Sequence, residues 1–133
     1  MSKSGALSVL LIGCPEAVVR AVHEGGHRTA APAAPEAGIA EARDTVLDVV
    51  ILDLANAGGD PFALARSIRA SSPWHKPMFL ALTESDDDEL DARCRNAGID
   101  LLLLQPVRPD LLARFLGRLG AVVQDYASFD PMI

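Results

Sequence analysis

The sequence predicts an α/β fold: a doubly wound, five-stranded parallel sheet with helices on both faces. Three features of the chain predict it. The apolar runs Val9–Ile12, Val49–Leu52, Met78–Leu82 and Leu101–Leu104 are continuous and do not alternate with polar residues. Such runs suit strands covered on both faces. Helical patterns lie between them, so strand and helix alternate along the chain, which implies right-handed crossovers and an open parallel sheet. The chain has 133 residues, 50% of them hydrophobic and 23% charged, enough for one domain with one core.

Each element follows from local chemistry. The first strand, Val9–Ile12, leads through Pro15 into a helix with Val18, Ala21 and Val22 on one face, ended by Gly25-Gly26. Thr29–Ala31 is expected to be a short second strand. The Ala/Pro-rich stretch after it is expected to start a helix at Pro35 that runs through Ile39 and Ala40. After the third strand, Asp60 reads as an N-cap with Pro61 at the first helical position, and Leu64, Ala65 and Ile68 form the inner stripe. After the fourth, Ser85 is expected to cap a helix whose first turn is filled by Asp86, Asp87, Asp88 and Glu89, where the helix dipole favours negative charge. Leu90, Cys94 and Ala97 give that helix its buried face, and Asn96-Ala97-Gly98 ends it. Pro109-Asp110 opens the last helix, with Leu111, Leu112, Phe115, Leu116 and Leu119 expected inward, and Gln124–Ile133 lacks a clear period.

Charge and cysteine content exclude several classes. A net charge of −6 with 12 scattered Lys and Arg argues against a nucleic-acid or anionic-membrane surface, because phosphate backbones need clustered cations. Cys14 and Cys94 cannot make a disulfide framework, and no Cys/His spacing offers a zinc site, so a cytoplasmic setting is expected. Leu11-Ile12-Gly13-Cys14 imitates a lipoprotein cleavage box, but the apolar part before it is short and Pro15 and a helical pattern follow. It reads as a first buried strand. Trp74 before the fourth strand, and Tyr126 and Phe129 near the C-terminus, are candidate contact aromatics.

Ligands of open α/β sheets meet the carboxyl ends of the strands. The first strand ends in Gly13-Cys14, the third in Asp53, the fourth in Thr83 and the fifth in Gln105-Pro106, and Asp53 is the one carboxylate among these ends. The segment Asp48-Val49-Val50-Ile51-Leu52-Asp53-Leu54 resembles the phosphoacceptor strand of response-regulator receiver domains of the chemotaxis-regulator type. Thr83 falls 30 residues after Asp53 and Gln105-Pro106 falls 52 after it, the spacings of that family's hydroxyl residue and Lys-Pro dipeptide. The resemblance runs from about Leu7 to Leu119.

The resemblance implies a flavodoxin-like sheet of order 2-1-3-4-5, a receiver-like domain over 1–120 and a C-terminal tail over 121–133. It implies Asp53 as phosphoacceptor position, Thr83 as switch hydroxyl and a cis bond at Gln105-Pro106. It also exposes departures. The family's acidic, magnesium-binding pair is replaced by Gly13 and Cys14, its lysine by Gln105 and its aromatic switch by Leu102. Magnesium takes hard oxygen ligands, so its binding is expected to be weak or absent, with Glu16 a poor substitute. No residue is expected to be catalytic and the chain is not expected to be an enzyme. The implied function is a stand-alone signalling protein of the two-component, phosphorelay type. It is expected to be a pseudo-receiver that works by protein–protein interaction through the Asp86–Leu119 face, on a histidine kinase or a downstream effector, as a monomer or weak homodimer. The alternative is a working phosphoacceptor, with Asp53 phosphorylated by a histidine kinase.

Overall fold

The computed structural model describes residues 6–72, 76–85 and 87–128, with side chains described as far as residue 122. The order is β1 (Ser8–Ile12), α1 (Glu16–Glu24), β2 (Arg28–Ala30), α2 (Pro35–Asp44), β3 (Val49–Asp53), α3 (Pro61–Ser71), β4 (Met78–Thr83), α4 (Asp88–Asn96), β5 (Leu101–Leu104) and α5 (Pro109–Ser128). The strands are all parallel in the order β2-β1-β3-β4-β5, as the resemblance implied.

The continuous apolar runs have a simple cause: every residue of β1 and of β3 is buried. Side chains leave alternate faces of the central strands and feed two separate cores. One face packs Leu10, Val50, Leu52 and Phe79 with Phe62, Ile68 and Cys94 from α3 and α4. The other packs Leu11, Ile51 and Leu80 with Val18 and Val22 of α1 and Leu112 and Leu116 of α5. Each large side chain so buried contributes about 1.5–3 kcal/mol. Register then fixes what sits at the carboxyl edge. Ile12 pairs with Leu52, Asp53 with Leu82 and Thr83 with Leu104, so Gly13 follows β1 at the level of Asp53. At the opposite edge, Asp48 Oδ2 accepts from Ser8 N at 2.8 Å and Asp100 Oδ2 accepts from Phe79 N at 2.9 Å. The carboxylates before β3 and β5 thus tie down the starts of β1 and β4.

Helix ends mostly follow the expected chemistry. Asp60 caps α3 by accepting from Phe62 N and Ala63 N, with Pro61 next. The cap of α4 is a correction: it is Asp87, not Ser85, whose carboxylate accepts from Leu90 N at 2.8 Å. Ser85 is instead held by Thr83, whose hydroxyl donates to Ser85 O at 3.0 Å and accepts from Ser85 N at 3.3 Å. Asp86 lies outside the described residues. Leu111, expected inward on the last helix, is instead 44% exposed, beside the outer strand β5. The last helix is also longer than expected. Its backbone runs unbroken through Ser128, so the first eight residues of the 121–133 segment are helix. Among the described residues no helix is long and apolar enough to cross a membrane.

Candidate functional site

The carboxyl edge gathers the residues singled out from the sequence. Asp53 ends β3 at 1% exposure. Its Oδ2 accepts from Gln105 Nε2 at 2.8 Å, and its Oδ1 accepts from Ala55 N at 3.0 Å. Gln105 reaches it across 52 residues because β5 lies beside β4, and Gln105 N donates to Thr83 O at 2.7 Å. The peptide bond that follows, Gln105–Pro106, is cis. Thr83 is buried next to this pair. An open cleft of about 340 Å³ is lined by Asp53, Thr83, Ser85, Gln105, Phe62 and Leu90, among others.

The β1 side of Asp53 is built differently. Gly13 has φ +71°, a left-handed conformation open to glycine. A Cβ there would lie 2.5 Å from the carbonyl carbon of Asn56 and 2.8 Å from the amide nitrogen of Ala57. The β3–α3 loop therefore rests its backbone directly on position 13. Cys14 follows, half-buried, with its Sγ donating to Ile51 O at 3.5 Å. Burial, and secondarily the Asp53 charge, push its thiol up to about 12, so at neutral pH it is an uncharged, soft group. Glu16 is exposed and paired with Arg20 at 2.8 Å. No group of three or more His, Cys, Asp or Glu side chains that could hold a metal occurs among the described residues. Around the Asp53 carboxylate lie the neutral Cys14 thiol, the Gln105 and Ala55 amides, the Thr83 and Ser85 hydroxyls and, lining the same cleft, the Glu84 carboxylate. A thiol and neutral amides are poor ligands for magnesium.

No protein-family model and no curated protein matches the sequence. Solved structures do match the fold. The chemotaxis protein CheY4 of Vibrio cholerae superposes with a TM-score of 0.74 at 21% identity, over 85% of this chain and 98% of that one. The receiver domain of the sensor histidine kinase PA1611 of Pseudomonas aeruginosa, solved with a magnesium ion in its active-site cleft, gives 0.71 at 21% identity over 86% and 98%. A CheY-like receiver-domain protein of Methanospirillum hungatei gives 0.73 at 16% identity over 92% and 98%.

This chain has the receiver-domain fold. On that receiver framework the structure brings Asp53, Thr83, Gln105, Gly13 and Cys14 to one edge, as their positions in the sequence implied. Leu102 is not among them: it is partly buried against the core formed with α3 and α4. Sequence reasoning missed the Ala55 amide as the second partner of Asp53, and the Asn56–Ala57 backbone as the lid on Gly13. The one available signal was Gly13 itself.

The sheet's outer strand carries a second feature. β5 is a sheet edge, and Leu104 and Leu111 are 53% and 44% exposed. They flank a groove of about 420 Å³ between β5 and α5 that Leu101, Leu103, Val107 and Phe115 also line. Trp74 and Phe129 lie outside the described residues, and the side chain of Tyr126 lies outside them too.

Proposed function

We propose that this chain is a pseudo-receiver: a non-enzymatic cytoplasmic signalling module that acts by binding other proteins, without magnesium-dependent phosphorylation of Asp53. One observation carries the reading. Both oxygens of the Asp53 carboxylate are held by uncharged donors, Gln105 and the Ala55 amide, and among the described residues no Lys, Arg or His side chain lines the cleft. Phosphoryl transfer to a carboxylate brings anion to anion and depends on positioning and charge neutralisation. A glutamine supports the first and not the second. The output surface of this reading is the Asp86–Leu119 face, where the exposed leucines of the β5–α5 groove give a partner an apolar anchor. Its partner is a histidine kinase or a downstream effector.

The working-phosphoacceptor reading is supported by Asp53 and Thr83 sharing one cleft. Incubation with acetyl phosphate and magnesium, followed by intact-mass measurement, separates the two. The pseudo-receiver reading expects an unchanged mass. A stoichiometric gain of one phosphate, lost in Asp53→Ala, establishes the second reading and removes the first.

A further inference from the structure

The 12 basic residues look scattered in the sequence, but folding gathers four of them. Arg66 and Arg69 of α3, Lys76 before β4 and Arg95 of α4 line one open bay of about 370 Å³, together with Asn96 and Gly98. Because helices run antiparallel to their strands, this bay lies at the amino edge of the sheet, remote from Asp53. Among the described residues no carboxylate lines it, in a chain with 18 Asp and Glu.

Two of the cations are held in place. Arg69 Nη1 donates to Gly98 O at 3.2 Å, and Lys76 Nζ donates to Arg69 O at 3.1 Å. Gly98 has φ +87°, and a Cβ there would come within 3.0 Å of Arg69 Nη1, so the missing side chain leaves room for the guanidinium. Attraction to helix carboxyl ends explains why these groups reach main-chain carbonyls. It uses one donor of each, out of five on arginine and three on lysine. Arg95 shares its charge with Asp91 at 3.1 Å. Arg66 has no hydrogen bond or ion pair among the described residues. Neighbouring cations repel one another, and of the four only Arg95 has a carboxylate partner among the described residues. Three guanidinium forks and an ammonium match the geometry and charge of phosphate oxygens, and the volume lies in the range of small-ligand sites.

We propose that this bay is a binding site for a small, multiply charged phosphate anion of the di- or triphosphate class. The proposal does not depend on the reading of Asp53. The test is a nuclear magnetic resonance titration of the full chain with sodium pyrophosphate and sodium tripolyphosphate at low ionic strength. Saturable shifts are expected for residues around Arg66, Arg69, Lys76 and Gly98, with tighter binding of tripolyphosphate. Arg66→Glu, an exposed position, is expected to weaken binding about tenfold or more. Arg118→Glu on α5 carries the same charge change and is expected to leave it unaltered. Three results overturn the proposal: no saturation, equal weakening by both variants, or tighter binding of a hexaglutamate peptide, which assigns the bay to an acidic protein segment.

Discussion

The two flanks of Asp53 are built differently. On the β4–β5 flank Thr83 is buried and the Gln105 side chain reaches Asp53 at 2.8 Å. Its donor is a neutral amide. On the β1 flank loop backbone rests against Gly13 and a neutral thiol stands at Cys14. Sheet register sets the first flank, bringing β5 beside β4. The second is set by one close approach of loop backbone that only glycine tolerates.

Substitutions sharpen this contrast. The largest effect is expected for Gly13→Ala, which combines a left-handed backbone with a close approach to Asn56 and Ala57. It should lower unfolding stability by about 3 kcal/mol or more, read from urea midpoints. A loss under about 1 kcal/mol would mean that the loop gives way easily. Next comes Asp53→Ala. With no like charge crowding the carboxylate among its hydrogen-bond partners, removal strands the Gln105 amide and the Ala55 N–H. A loss of about 1–3 kcal/mol is expected. A gain in stability would reveal a repulsive site and break the comparison.

The smallest effect concerns acid. His27, at 5% exposure, accepts from Leu7 N through Nδ1 at 3.0 Å, and its Nε2 has no partner among the described residues. Burial lowers its pKa below the ordinary 6.5. The unfolded chain then takes up a proton more readily than the folded one. The stability tied to neutral His27 is full above about pH 6.5 and declines as pH falls toward the folded-state value. Melting curves between pH 7.5 and 5 should show a slope that His27→Gln flattens. A slope unchanged by that substitution would place the acid sensitivity elsewhere, the Asp53 edge included.

The fold was legible because its signals are local and repeated. Four continuous apolar runs mark the four longer strands, and Asp60-Pro61 marks a helix start. Asp53, Thr83 and Gln105 were legible as strand ends. Contacts made through space were not. The cap of α4 is Asp87 because the helix starts at Asp88, two residues later than a Ser85 cap would need, while the Ser85 backbone is bonded to the Thr83 hydroxyl. Nothing near Gly13 in sequence announces the Asn56–Ala57 backbone above it. The four cations of the amino-edge bay come from three separate segments and meet only when α3 and α4 pack side by side.

Magnesium titration of the isotope-labelled protein probes the missing charge most directly, followed through the Ala55 amide and the Gln105 side-chain amide. Neither signal should move saturably up to tens of millimolar magnesium, because both Asp53 oxygens are held by amides and the Cys14 thiol is uncharged. Saturable shifts at both, abolished in Asp53→Ala, would show that the edge assembles a cation site after all and would restore Asp53 as a candidate acceptor.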